Sequence, residues 1–187
     1  MGRDQPPMTV MKSQTAELPG PPPGRRIERL PGELRYAAAR RLVAAQGAAG
    51  DRAADRLIAA APETGIDFDL AWAMIEDPGP HHPRLLRQLC LVVPGSGRTG
   101  MLFASRPGPQ ASCGEADEQR NDLAAVIRAC AKDLPGVLGR RVALLQALPE
   151  PLERWLIESL ERAGMIRVGD LAYLRRPLVL PGEPKAA

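Results

Sequence analysis

The chain has 187 residues, 44% hydrophobic and 25% charged, which suits a single soluble domain whose core of about 150 residues buries roughly two-thirds of its unfolded surface. Aromatics make up 3%, too few for the stacking platforms that single-stranded nucleic acid requires. The net charge of +3 rests on 22 arginines and three lysines scattered along the chain, which disfavours a nucleic-acid partner, because no run is long enough to form a basic arm.

Arginine in place of lysine, with abundant Ala, Gly and Pro, is also what a GC-rich genome encodes. No apolar run approaches the roughly 20 residues that span a bilayer, and the polar start has no signal-peptide core. Cys90, Cys113 and Cys130 share no C-x-x-C spacing. Cys90 and Cys130 read as small core hydrophobes, and the odd count fits a reducing interior. The expected location is cytoplasmic, with no membrane partner.

In chain order, residues 1–26 read as a disordered Pro-rich tail that includes Pro19-Gly20-Pro21-Pro22-Pro23-Gly24. One domain follows over 27–180, and 181–187 form a flexible C-terminal tail. Arg25 to Leu30 is a short first strand. Pro31 opens a helix with Leu34, Ala38, Leu42 and Ala45 at helical spacing until Gly47. A second helix starts near Asp51, turns Ala54, Leu57, Ile58 and Ala61 to one face, and ends at Pro62. Leu70 to Ile75 fits a strand or a helical turn, and Asp77-Pro78-Gly79-Pro80 decides for a strand running into a hairpin loop. Strands follow over Leu85 to Val93 and Gly100 to Ser105. A helix from about Asp117 to Leu134 aligns Leu123, Val126, Ile127, Cys130 and Leu134. Val142 to Leu148 is apolar enough for a strand covered on both sides. Pro151 opens a helix with Leu152, Leu156, Leu160 and Ala163, ended by Gly164. Ile166 to Leu174 closes with one or two strands. The fold class is α/β, a central mixed sheet with helices on both faces.

Gly95-Ser96-Gly97-Arg98-Thr99-Gly100 spells G-x-G-x-x-G, the dinucleotide-binding fingerprint. That motif requires a helix after the glycines, whose N-terminus holds a pyrophosphate. Met101 to Ser105 followed by Pro107-Gly108-Pro109 is too short for one, so the glycines read as a hairpin turn. No G-K-[ST] follows for a Walker loop, and no G-x-S-x-G elbow leads from strand to helix. His81-His82, adjacent in a loop, make a poor metal pair and a good solvated turn; no metal is expected.

Leu91-Val92-Val93-Pro94-Gly95-Ser96-Gly97-Arg98-Thr99-Gly100-Met101-Leu102-Phe103, Leu144-Leu145-Gln146-Ala147-Leu148, Ala163-Gly164-Met165 and Leu171-Ala172-Tyr173-Leu174-Arg175-Arg176-Pro177, in this element order, resemble the GNAT superfamily of acyl-coenzyme A N-acyltransferases. The resemblance is to bacterial GNAT-like proteins of planctomycete type, and it runs from about 30 to 178. It implies that the fourth and fifth strands splay apart to admit the cofactor's pantetheine arm, whose amides satisfy strand backbone. The cofactor would be acetyl-coenzyme A or another acyl-coenzyme A. Phe103, Ala104 and Ser105 would offer backbone groups to it. Gln146, the polar residue of the apolar fifth strand, either lines the gap or is satisfied by the neighbouring helix or the sheet end.

Two departures from the family pattern stand out. The phosphate-holding loop [Arg/Gln]-x-x-Gly-x-[Gly/Ala] is replaced by Gln110-Ala111-Ser112-Cys113-Gly114-Glu115, with Glu115, Asp117 and Glu118 beside it and Arg106 and Arg120 available to offset them. The tyrosine expected four residues before Gly164 is Leu160, with Ser159 adjacent and Tyr173 on the closing strand. No general base stands out among Glu76, Glu150 and Glu153. The expected function is acyl transfer from coenzyme A to a small-molecule or peptide amine; the alternative is a catalytically degenerate GNAT-like domain that binds a ligand or protein.

Overall fold

A computed structural model describes residues 24–43, 46–79, 81–107 and 113–169, with Cys113 and Arg140 described by backbone alone. Its described residues form one mixed five-stranded sheet and four α-helices. The strands are β1 (Arg25–Arg29), β2 (Ala71–Glu76), β3 (Leu85–Pro94), β4 (Thr99–Ala104) and β5 (Leu144–Gln146). The helices are α1 (Arg35–Leu42), α2 (Gly47–Thr64), α3 (Cys113–Leu138) and α4 (Arg154–Arg162). Strand order follows chain order, antiparallel from β1 to β4, with β5 parallel to β4.

The side-chain period of two along β2 and β3 sorts the core into two layers. Trp72, Met74, Cys90, Val92 and Leu102 face α3 and α4, where Leu123, Val126, Ile127, Cys130, Leu134 and Leu160 meet them. Ala71, Ala73, Ile75, Leu89 and Leu91 face α1 and α2, which present Ala38, Ala39, Ala54 and Ala61. Alanine-rich helix faces let α1 and α2 sit close to the sheet, while the larger side chains of α3 fill the other side. The expected strand over Leu70–Ile75 is β2, and helices cover both faces as expected.

Proline proved a weaker stop signal than the sequence suggested. The helix expected to begin near Asp51 and end at Pro62 runs from Gly47 to Thr64, with Pro62 inside it. A proline this near the end forfeits one backbone hydrogen bond, and Gly65, with φ of 71°, closes the helix by donating to the Ala61 carbonyl. α3 likewise extends past both expected ends and carries Pro135 within it, held by the burial of Leu134 and the packing of Leu138 on the same core. The first helix is shorter than expected: a 3-10 turn over Gly32–Leu34 precedes α1, which stops at Leu42. Ala45 lies outside the described residues.

The C-terminal third departs most from expectation. β5 has three residues rather than seven, and Leu144 is 56% exposed, so this strand is not covered on both sides. Pro151 and Leu152 precede α4, and Leu152 is 90% exposed rather than core. Gly164 does end the helix. With φ of 87° it donates to the Glu161 carbonyl at 2.9 Å, and Met165 donates to Leu160 at 3.0 Å, the paired bonds of a Schellman cap. Ile166 to Gly169 is in no strand, and the rest of the expected closing strand, Tyr173 included, lies outside the described residues, as do the N-terminal 23 residues and the C-terminal tail.

Candidate functional site

The G-x-G-x-x-G segment is the β3–β4 hairpin turn. Gly95 donates to the Thr99 carbonyl at 2.8 Å, and the Thr99 hydroxyl donates to the Ser96 carbonyl at 2.8 Å. Gly97 (φ 69°) and Arg98 (φ 60°) are consecutive left-handed residues, and glycine at the first removes one of the two steric penalties. Gly100 serves packing instead. A Cβ built there would stand 2.9 Å from Val92 Cγ1 and 3.2 Å from Val142 Cγ1. Its missing side chain lets the start of β5 lie against β4.

β4 and β5 pair over only three positions, Thr99↔Leu144, Gly100↔Leu145 and Met101↔Gln146. β4 then continues through Leu102, Phe103 and Ala104 with β3 on one edge and no β5 rung on the other. The β3–β4 register decides which backbone groups face which edge. Thr99 bonds to Gly95 and Ser105 N–H donates to Leu89 O at 2.9 Å, so the odd-numbered residues exchange hydrogen bonds with β3 and the even-numbered ones face β5. Ala104 is thus an outward-facing residue beyond the last β4–β5 rung.

The four residues singled out in the sequence are therefore set differently. Phe103 pairs with Leu91 through its backbone, and its side chain, 49% exposed, stands on the α1–α2 face of the sheet. Ser105 is buried at the end of the strand: its hydroxyl donates to Gln88 Oε1 at 2.6 Å and accepts from Leu89 N–H at 3.0 Å. Gln146 sits in the last rung, half-buried, on the same face as its partner Met101. Ala104 alone of the four turns its peptide groups to the edge that no described strand covers.

An ion pair lies beyond the end of β4. Arg106 Nη2 lies 3.1 Å from Glu153 Oε1, just before α4, and Glu153 also accepts from the Glu150 N–H at 3.0 Å. The carboxylates near the start of α3 are engaged as well. Asp117 holds Arg120 (2.9 Å) and Arg162 (3.2 Å), and Arg120 reaches Glu158 at 3.2 Å; the Arg120 and Arg162 hydrogen bonds draw the Asp117 pKa below its ordinary value. The Ser159 hydroxyl donates to the Trp155 carbonyl at 2.8 Å and is buried, so it is no proton donor to a cleft. His81 and His82 are exposed on the β2–β3 turn.

A second cluster escaped the sequence reading. Arg25 of β1 contacts Glu118 and lies 3.3 Å from Asp122 and 3.5 Å from Glu76; Arg87 of β3 lies 3.5 Å from Glu76 and 4.0 Å from Asp122. Asp122 is 4% exposed. Burial raises its pKa, against the pull of Arg25 and Arg87. Burial acts downward on Arg25, but the Glu118 hydrogen bond and the charges of Asp122, Glu118 and Glu76 outweigh it, and the net shift is upward. Arg87 is the bulge residue of β3, between the rungs Met74↔Gln88 and Ile75↔Leu86. A bulge re-aims a side chain, and period-two patterning hides it. This cluster ties three strands to α3 and reads as structural.

Among the described residues no helix is long and apolar enough to cross a membrane, and no group of His, Cys, Asp and Glu could hold a metal ion. The chain matches no protein-family model, no curated protein and no solved structure.

Proposed function

We propose that the chain is a GNAT-like N-acyltransferase that carries an acetyl or other acyl group from coenzyme A to an amine. The observation that carries this reading is the parting of β4 and β5: two adjacent parallel strands that pair at one end and leave the Ala104 backbone facing an open edge. An amide-bearing tether laid along that edge would satisfy strand groups that otherwise need water. Acyl-coenzyme A, when bound, would supply the thioester whose acyl group passes to the amine, with coenzyme A leaving as the free thiol. The chain's own contribution is positioning. Ala104 would pair with the pantetheine amides, Leu102 and Ala104 would wall the thread on the α3 side, and Phe103 and Gln146 would border the acceptor on the opposite face.

One observation favours a second reading, a ligand-binding domain of the same shape without catalysis. α4 carries no tyrosine, and the hydroxyl nearest the family's acid position is spent on Trp155. The two readings part in a thermal-denaturation experiment followed by a turnover assay. Acetyl-coenzyme A at 100 times its dissociation constant should add about 2.7 kcal/mol to stability. Stabilisation with release of free thiol in the presence of an amine supports the transferase, and stabilisation without thiol release supports the binding domain. No stabilisation by any acyl-coenzyme A removes the transferase reading.

A further inference from the structure

Arg41, on the last turn of α1, has no counter-ion among the described residues. Its Nη2 donates to the Arg106 carbonyl at 2.9 Å, while its Nε is shielded from water and has no acceptor among the described residues. The charged neighbour acting on it is another cation, Arg87, which is engaged with Glu76 and Asp122. Burial, and then the like charge of Arg87, pull the Arg41 pKa down. Desolvating a charged donor with nothing to accept from it is costly. Nine other arginines have carboxylates: Arg25, Arg26, Arg35, Arg40, Arg84, Arg87, Arg106, Arg120 and Arg162 all form ion pairs. Arg41 is bonded instead to a backbone carbonyl, and its Nε is left for an acceptor that the described residues do not supply.

Its position bears on what that acceptor is. The Arg106 carbonyl lies two residues beyond Ala104, about 7 Å along the strand direction. α1 packs on the sheet face that carries the half-exposed Phe103, opposite the α3 layer. We infer that Arg41 is an oxyanion-binding residue, and that the amine acceptor carries a carboxylate or phosphoryl group about one short side chain away from its amine. The half-buried side chain leaves an anion an approach, and Nε with Nη2, the two donors on one edge of the guanidinium, would take two of its oxygens in the bidentate pairing a guanidinium favours, the anion sharing or replacing the Arg106 carbonyl at Nη2. The acceptor assignment rests on the transferase reading; the anion site does not.

The test uses the full chain in an anion-poor buffer at constant ionic strength, with inorganic phosphate and acetate as probes. Thermal denaturation of the wild type should show a saturable rise in Tm with at least one of them, and the stronger probe distinguishes a phosphoryl from a carboxylate group. Arg41→Met should abolish that rise while being at least as stable as the wild type without the probe, because it removes an uncompensated cation. Arg41→Lys, which keeps the charge and loses the fork, should weaken apparent affinity at least fivefold. It also serves should the methionine variant fail to fold. An unchanged probe response in either variant overturns the anion site. Acetyl-coenzyme A is then titrated separately. Equal stabilisation of wild type and Arg41→Met supports the acceptor assignment. Stabilisation lost only in Arg41→Met overturns it by assigning Arg41 to the cofactor's phosphates. A phosphate response without any coenzyme A response supports the anion site while removing the transferase reading.

Discussion

Gly100→Ala probes the contact that sets β5 against β4. The added methyl would stand 2.9 Å from Val92 Cγ1 and 3.2 Å from Val142 Cγ1, with Leu145 Cδ1 at 3.5 Å. Val92 is fully buried and β-branched, so its Cγ1 has little freedom to retreat. Val142 is the residue through which the chain enters β5, and it is the softer neighbour. Overpacking of this kind costs about 1–3 kcal/mol, which for a chain this size lowers Tm by about 2–4 °C per kcal/mol. Chemical denaturation of Gly100→Ala, Val92→Ala and the double variant forms a cycle. We expect the double variant to be less destabilised than the sum of the singles, because the truncated Val92 makes room for the new methyl. Gly97→Ala is the contrasting case: nothing lies within 4 Å of its added carbon, so it should lose about 1–2 kcal/mol from left-handed strain alone and show no coupling to Val92. A Gly100→Ala protein as stable as the wild type, or additive with Val92→Ala, would refute the packing role.

Three further outcomes follow from the same geometry. Ser105→Ala leaves Gln88 Oε1 and the Leu89 N–H without their partner, and should cost about 1–3 kcal/mol in urea denaturation; an unchanged midpoint contradicts it. Gly164→Ala puts a side chain at φ 87° in the cap of α4 and should lower stability by about 1–2 kcal/mol, read as a drop in Tm. Asp122 gives a pH signature of unusual sign. Its folded pKa is raised, so its contribution is fully present below the ordinary aspartate value and is lost as pH rises through the raised one. The wild type should therefore gain stability relative to Asp122→Asn as pH falls toward 4, and a relative loss in that window would refute the raised value.

What was legible in the sequence was whatever periodicity and turn chemistry control. The α3 stripe Leu123, Val126, Ile127, Cys130 and Leu134 is buried in full, because a helix long enough to cross a sheet must hide one face. The reading of the glycines as a turn held because five residues and a proline cannot build a crossover helix. Of the helix ends, the one read correctly was at Gly164; the second helix was expected to stop at Pro62 but runs on to Thr64 before Gly65, since proline near a terminus forfeits one hydrogen bond and tertiary packing outweighs it. Leu144 and Leu152 were read as core from hydrophobicity alone, and hydrophobicity does not tell an edge strand or a pre-helix turn from an interior one. Strand pairing also escaped: which of Phe103, Ala104 and Ser105 turns its peptide outward depends on register with β3, and register lies in long-range pairing that a local pattern does not encode. Arg41 was invisible for a similar reason: one of 22 arginines, it is set apart by a buried Nε with no acceptor among the described residues.

Hydrogen exchange at the Ala104 amide, followed residue by residue with and without desulfo-coenzyme A, addresses the open edge of β4 most directly. A bound tether should slow exchange at Ala104 and leave Phe103 and Ser105, already bonded to β3, unchanged. If Ala104 exchanges at the same rate at the highest attainable analogue concentration, the edge takes no such ligand.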